Sequence, residues 1–219
     1  MPVAMMNEQS ESSLDPARPR GSLALDAERL LDSLDGVAYL TDAEGVVVAI
    51  GRTAWNSFAA ATGGVCVRAE SMPGRSIFDA MQGPVIDIYR RLHARLVSGE
   101  RASVTFEYRC DAPDLRRDMR MSISVLRASE TRLLLLHQSQ MIACAPRPWV
   151  RLLEPERILR HFQAQSHLPI VKLCAFCQKV AWTSGPRHEW IEPEDYYRRG
   201  GAIDVRTSHG VCPPCQTQL

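Results

Sequence analysis

The sequence has few aromatic side chains and almost no lysine. Phe, Trp and Tyr make up 6% of its 219 residues, and Lys172 and Lys179 are the two lysines among 26 basic side chains. A nucleic-acid-binding surface normally clusters basic residues on one face, whereas these arginines are spread along the chain. The formal net charge is +1. Composition therefore gives no sign of a polyanionic partner.

The chain also lacks a hydrophobic run of membrane-spanning length. A membrane helix needs about 20 apolar residues, whereas the longest candidate run, Leu133 to Leu136, has the length of a strand. Residues 1–20 carry Glu8, Glu11 and Asp15 and have no apolar core of signal-peptide length. With 45% hydrophobic residues, the composition is typical of a globular protein of one or two domains. We therefore expect a cytoplasmic protein without membrane contact.

Motifs that mark common enzyme classes are absent from the sequence. It contains no nucleophile elbow, no phosphate-binding glycine loop, no HExxH pair and no paired-carboxylate constellation. We therefore expect that the protein is not an enzyme. A thiol oxidoreductase or a degenerate signalling enzyme is the enzymatic alternative, because CxxC pairs also occur in redox proteins.

The pattern of apolar residues predicts an α+β domain with an antiparallel sheet. Two apolar runs, Val37 to Leu40 and Val46 to Ile50, flank an acidic, glycine-containing turn and predict a hairpin. Residues 84–98 place apolar side chains at helical spacing, with a proline at the start and a glycine after the end. Alternating polar and apolar positions then predict three consecutive strands, over residues 104–108, 119–125 and 132–139.

The order of these elements and several short motifs resemble a PAS domain over roughly residues 26–140. The resemblance is carried by residues 36–42 (GVAYLTD), Gly45, Asn56, residues 74–79 (GRSIFD) and residues 98–100 (SGE). It implies a PAS-like antiparallel five-stranded sheet with flanking helices, able to hold an unidentified small ligand or a partner. It also implies a possible homodimer through this domain. Residues 108–117 look like a subgroup signature, which the sequence explains only as a charged turn between strands.

Four of the seven cysteines form two CxxC pairs. Cys174 and Cys177 are separated from Cys212 and Cys215 by 34 residues. Zinc prefers four ligands in a tetrahedron, and a complete set of four thiolates leaves no open position for catalysis. An odd number of cysteines without a signal peptide argues against a disulfide framework. We therefore predict that Cys174, Cys177, Cys212 and Cys215 bind a structural Zn²⁺.

The cysteine segment, roughly residues 172–216, resembles a small module at the C-termini of some bacterial two-component sensor and response proteins. The resemblance is carried by residues 173–179 (LCAFCQK), Trp190, Tyr197 and residues 208–215 (SHGVCPPC). Gln178 departs from a pattern that often has Lys there, and this leaves the four ligands untouched. The resemblance implies a zinc-ribbon-like module, which we take to be a docking or output surface.

These patterns divide the chain into four segments. The predicted boundaries are 1–22 for a disordered leader, 23–142 for the PAS-like domain, 143–171 for a linker with a short helix, and 172–219 for the zinc-binding module. Three prolines between residues 146 and 155 disfavour one continuous helix after the last strand. The short helix is predicted from Ile158, Leu159 and Phe162.

Other histidines, acids and cysteines are weaker candidates for ligands. His209 competes as a zinc ligand or supports the site from outside. His93 is expected on the exposed face of the predicted helix rather than bound to haem. His188, Glu194 and Asp195 are expected at the solvated surface. Cys110 and Cys144 are expected to be unreactive thiols. Cys66 does not match the sequence motif of cysteines that form flavin adducts. Met119 and Met121 are expected in the core.

The leading hypothesis is a bacterial signalling protein, a PAS-type sensor or interaction module with a structural four-cysteine zinc site for docking a protein partner. The alternative is a nucleic-acid-binding transcriptional regulator that acts through the zinc module. That alternative needs one basic face, formed by Lys172, Lys179, Arg187, Arg198, Arg199 and Arg206. Acidic residues between 189 and 195 interrupt the face in sequence, so nucleic acid is the less favoured partner.

Overall fold

The computed structural model describes residues 26–62, 68–81, 83–129, 131–154, 167–184 and 187–218. Its first sheet has five antiparallel strands in the order β2-β1-β5-β4-β3. The strands are β1 (Val37–Thr41), β2 (Val47–Ile50), β3 (Ser103–Arg109), β4 (Leu115–Arg127) and β5 (Leu133–Pro146). The flanking helices are α1 (Ala27–Asp32), α2 (Arg52–Ala61) and α3 (Pro84–Val97). The predicted α+β class, with a five-stranded antiparallel sheet and flanking helices, is confirmed.

The acidic turn and the proline-initiated helix that the sequence predicts are both present in the structure. In the turn between β1 and β2, the Asp42 carboxylate accepts hydrogen bonds from the backbone N–H groups of Glu44 and Val46. Helix α3 begins at Pro84 and buries Ile88, Leu92 and Leu96. A proline at the first helical position loses no hydrogen bond, and the apolar stripe needs a sheet to cover it. The predicted hairpin and helix are therefore both present.

Gly36 explains one part of the sequence motif that precedes β1. Its φ is +80°, which favours glycine, and a Cβ at this position would lie 2.2 Å from the carbonyl oxygen of Ser139 on β5. Only glycine combines this backbone conformation with so close an approach of two strands. The motif therefore positions β1 beside β5.

A second, smaller sheet has the order β8-β7-β6-β9. Its strands are β6 (Ile170–Cys174), β7 (Val180–Ser184), β8 (Arg187–Ile191) and β9 (Arg206–Gly210), with helices α4 (Pro193–Arg198) and α5 (Pro213–Gln218). Strands β6 and β9 are parallel, and the other pairs are antiparallel. Val150, Leu152 and Leu153, which follow β5, are buried in the core of this sheet. The segment predicted as a linker thus contributes to packing, and β5 itself continues to Pro146.

Three predicted features lie outside the described residues. These are the leader over residues 1–22, Cys66, and the short helix around Ile158, Leu159 and Phe162. Among the helices of the described ranges, none combines the length and the apolar character needed to cross a bilayer.

Candidate metal centre and ligand cavity

The fold brings the four predicted cysteines together. Their sulfur atoms all lie within 4.8 Å of one another, and the Sγ atoms of Cys177 and Cys212 are 3.6 Å apart. The cause is the parallel pairing of β6 with β9, in which Cys174 stands opposite Gly210. Parallel strands end at the same edge of a sheet. The first CxxC pair begins at the last residue of β6 and the second begins two residues after β9, so both pairs lie at that edge.

The donor set fits a tetrahedral metal ion. A Zn–S distance of about 2.3 Å implies S–S separations of about 3.8 Å. The Cys177–Cys212 separation of 3.6 Å is close to that value, and all four sulfurs lie within 4.8 Å of one another. Cys174, Cys212 and Cys215 are buried. Hydrogen bonding by the Cys177 thiol and by backbone N–H groups lowers the pKa of Cys174, which favours the thiolate that binds metal. The four sulfurs could therefore hold a metal ion.

The turn of the first CxxC pair contains a strained residue. Gln178 has a φ of +60°, a conformation that non-glycine residues rarely adopt. Its N–H donates to the carbonyl of Cys174 at 2.9 Å, and the N–H of Cys174 donates to the carbonyl of Lys179 at 2.7 Å. These bonds hold the turn that points Cys174 and Cys177 at a common centre.

The neighbouring polar candidates do not join the four sulfurs. His209 is exposed on β9, and His188 is exposed and contacts the Thr183 hydroxyl at 3.1 Å. Asp195 pairs with Arg198. The prediction that Glu194 lies at the solvated surface is wrong, because its carboxylate is three-quarters covered and pairs with the buried Arg147.

The second sheet with its two CxxC pairs and two helices, residues 170–218, is called the cysteine module below, and it packs directly on the first sheet. Phe176, between Cys174 and Cys177, is 4% exposed and contacts the rings of Tyr89 on α3 and Phe106 on β3. Strand β3 is the edge of its sheet, and the N–H of Arg109 at its end donates to the Phe176 carbonyl at 2.6 Å. The Arg109 guanidinium also donates to the Cys177 carbonyl at 3.0 Å. A metal bound by the four cysteines would therefore also stabilise the contacts between β3 and the cysteine module.

A buried ionic network strengthens the same junction. The Asp111 side chain is completely buried and accepts hydrogen bonds from the guanidinium groups of Arg109 and Arg147. Arg109 also donates to Glu192 at 2.7 Å, and Arg147 to Glu194 at 2.9 Å. These five residues, called the Asp111 network below, connect the β3–β4 turn to the start of α4. The sequence did not predict that residues 108–117 contribute to a buried ionic network. The one indication of it was the high density of charged residues in this short turn.

A cavity of about 300 Å³ lies between the first sheet and α2. Most of its wall is apolar, and its lining residues are Val37, Tyr39, Trp55, Phe58, Ala59, Thr62, Tyr108, Met121 and Ser139. The hydroxyls of Tyr108 and Ser139 are hydrogen-bonded at 2.5 Å. Burial raises the pKa of Tyr39 and of Tyr108, so both phenols are neutral at physiological pH. The cavity can hold a small, largely apolar molecule.

Two histidines are buried beside this sheet. The prediction that His93 lies on an exposed face is wrong, since it is 8% exposed and its ring packs edge-on against Phe78. The segment that contains Phe78 covers this side of α3, which periodicity within one helix could not reveal. His137 on β5 is fully buried, stacks on Tyr39 and contacts the Thr41 hydroxyl at 3.2 Å. Met119 and Met121 lie in the core, as predicted.

We expect His137 to make the protein less stable in mild acid. Burial, with a smaller effect of the nearby His93, lowers the pKa of His137 to about 3, whereas it is 6.5 without the fold. Between these pH values the unfolded state binds a proton that the folded state excludes, so stability falls as the pH falls. The slope is about 1.4 kcal/mol per pH unit, and above pH 6.5 the effect vanishes.

The measurement is urea unfolding of the wild type and of His137→Phe between pH 6.5 and pH 5. The variant keeps a ring against Tyr39 and cannot titrate, so its stability is expected to depend less on pH. His188→Phe, at an exposed position, is the matched control and should retain the wild-type slope. Equal slopes in all three proteins would contradict the assignment.

Comparison with known proteins gives structural similarity at low identity. Neither a protein-family model nor a curated protein matches the chain. Among solved structures, the PAS domain of Bordetella pertussis BvgS is 17% identical, with a TM-score of 0.38, and the match covers 62% of this chain and 90% of that one. A C-terminal domain from Streptococcus mutans is 14% identical, with a TM-score of 0.40, over 53% and 82%.

The photoactive yellow protein domain of the sensor histidine kinase Ppr from Rhodospirillum centenum is also similar. It is 18% identical, with a TM-score of 0.34, and the match covers 55% of this chain and 99% of that one. At these identities and TM-scores, the fold class stated above rests on the strand order and registers of the chain itself.

Proposed function

We propose that the protein is a cytoplasmic bacterial sensor, in which the cavity of the first sheet binds a small ligand and the zinc-bound cysteine module docks a signalling partner. The observation that carries this proposal is the position of β3. Tyr108 lines the cavity, and the next residue, Arg109, bonds to the carbonyls of Phe176 and Cys177. A ligand that moves Tyr108 would therefore act directly on the module.

The metal is proposed to be zinc in a structural role. Four buried or half-buried thiols within 4.8 Å match the donor preference of this ion. A complete set of four sulfurs leaves no position for a substrate, which supports a binding function rather than catalysis. A complete set of four ligands also disfavours the redox alternative, because a bound metal would occupy the thiols of both CxxC pairs.

A nucleic-acid partner receives less support than a protein partner. Two of the six arginines and lysines that would form the basic face are neutralised by local acids, since Arg198 pairs with Asp195 and Arg199 with Glu189. Binding driven by phosphate contacts would weaken steeply with salt. Absence of any salt-dependent binding to DNA or RNA would remove this alternative.

A homodimer through the first sheet stays a prediction. Met141 and Ile142 on β5 are 54% and 40% exposed, and apolar side chains at such a position support contact with another chain. Sedimentation of the full chain over a range of concentrations measures this directly. A constant monomer mass would contradict the prediction.

The ligand function is tested by native mass spectrometry of the full chain purified without added ligand. We expect a non-covalently bound small molecule in the wild type and its loss in Ala59→Trp, because Ala59 lines the cavity and an indole there would fill it. Ala60→Trp is the matched control, since Ala60 is exposed on the same helix. This variant should retain the molecule.

A wild type that carries no molecule, or an Ala59→Trp variant that keeps it, would contradict ligand binding in the cavity. Hydrogen exchange then tests the second half of the proposal. Amides of residues 108–111 and 174–178 are expected to exchange faster in Ala59→Trp than in Ala60→Trp. Equal exchange would argue that the cavity and the cysteine module are independent.

A further inference from the structure

Arg117 is a buried cation that has no carboxylate partner among the described residues. Its side chain is on β4 and is 5% exposed, and no carboxylate in the described part of the chain lies within ion-pair distance of it. Its Nε donates to the carbonyl of Cys110 at 2.7 Å, while its buried Nη2 has no hydrogen-bond partner within the same ranges. Buried charges in proteins are normally paired, because removing an unpaired charge from water is costly.

The nearby carboxylates are already used by other arginines. Asp111 binds the side chains of Arg109 and Arg147, and it meets Arg117 only through the backbone N–H, at 3.1 Å. Glu192 and Glu194 complete the Asp111 network. Within the residues that the structure describes, the guanidinium of Arg117 is therefore left with one polar contact and a free donor.

The position of Arg117 connects this free donor to the cavity. Arg117, Met119 and Met121 alternate along β4 and are buried on the same face, and Met121 lines the cavity. The Arg117 Cζ atom lies 5.5 Å from the centre of the Phe58 ring, which is another part of the cavity wall. The guanidinium thus lies over the ring of Phe58, a residue that lines the cavity of about 300 Å³.

We propose that the cavity binds a small apolar molecule with one carboxylate, and that Arg117 supplies the positive charge that pairs with this carboxylate. The inference rests on the proposed ligand-binding function and adds the chemical class of the ligand. In this proposal the apolar part lies against Trp55, Phe58 and Met121, and the carboxylate pairs with the guanidinium beside the Phe58 ring. Charge-assisted hydrogen bonds of this kind are roughly twice as strong as neutral ones.

The test compares acids with alcohols that have the same carbon skeleton. Isothermal titration of the full zinc-loaded chain is carried out with 4-phenylbutyrate against 4-phenyl-1-butanol, and with octanoate against 1-octanol. In the wild type we expect at least one acid to bind about tenfold or more tightly than its alcohol, which corresponds to about 1.4 kcal/mol.

Arg117→Met and Arg116→Met form a matched pair of variants. Arg116 precedes Arg117, and its exposed side chain contacts Asp118 at 3.4 Å. Arg117→Met is expected to bind acid and alcohol equally, with the affinity for the alcohol unchanged, whereas Arg116→Met should keep the wild-type preference. If the methionine variant does not fold, Arg117→Lys retains the charge, and the wild-type comparison remains decisive.

Equal binding of acid and alcohol by the wild type would overturn the carboxylate inference and leave ligand binding intact. Failure of both acids to bind would also overturn it. A preference for the acid that survives in Arg117→Met would assign the charge recognition to another residue and so overturn the role of Arg117. Loss of ligand binding altogether is detected separately, by the Ala59→Trp experiment.

Discussion

Replacement of Cys212 by Ser is expected to abolish stoichiometric metal binding and to unfold the second sheet. Cys212 is 1% exposed and its Sγ is 3.6 Å from that of Cys177, so its loss removes a central ligand. Structural zinc sites contribute on the order of 10–16 kcal/mol of apparent binding free energy. The small core around β6 to β9 cannot replace an interaction of that size. Elemental analysis and limited proteolysis are the measurements.

The matched control for this experiment is Cys144→Ser. Cys144 is an exposed cysteine on β5, so the metal content and the protease pattern should remain those of the wild type. In Cys212→Ser, cleavage is expected between residues 167 and 218, while the first sheet resists. A metal content of one ion per chain in Cys212→Ser would contradict the assignment of four cysteine ligands. A metal-free but protease-resistant wild type would favour the redox interpretation of the cysteines.

Replacement of Asp111 by Asn is expected to have the second-largest effect, a loss of about 3–5 kcal/mol in the free energy of unfolding. The neutral amide gives up the charge-assisted hydrogen bonds to two buried guanidinium groups, each of which contributes about 1.5–3 kcal/mol, while Arg109 and Arg147 keep their glutamate partners. The carboxylate is fully buried between Arg109 and Arg147. Because Arg109 also holds the carbonyls of Phe176 and Cys177, the junction with the cysteine module should loosen as well.

Urea unfolding at pH 7 measures this effect, and Asp118→Asn is the control. Asp118 is partly exposed and contacts Arg116 at 3.4 Å, a geometry in which surface pairs contribute about 0–1 kcal/mol. If Asp111→Asn and Asp118→Asn lowered the free energy of unfolding by similar amounts, the Asp111 network would not be a structural junction. Faster exchange of amides 174–178 in Asp111→Asn alone would link the network to the cysteine module.

The elements that sequence patterns predicted well are those with local causes. Alternation over residues 104–108 and 119–125, and the apolar stripe of α3, depend on side chains a few positions apart. The CxxC spacing likewise predicts the two turns that present sulfur atoms. The meeting of those turns was also predictable, since a metal needs four ligands at one point.

The features that the sequence did not predict all depend on distant residues. His93 is buried because a segment around Phe78 covers one side of α3, and Glu194 is covered because Arg147 lies against it. Arg117 has the same local sequence context as Arg116, yet one is buried beside the cavity and the other is exposed. Alternation alone indicates that the two point to opposite faces, without saying which face is covered.

By itself, therefore, the sequence determined the antiparallel strands, the long helix and which four of the seven cysteines form the candidate metal site. Periodicity and short spacings act within a single element, so they can be recognised in the sequence. Only the tertiary structure decided which charges are buried, how the cysteine module meets β3, and that a cavity lies between the first sheet and α2. Those properties arise where separate elements pack together. The free energy of burying a charge depends on neighbours that are far away in the chain.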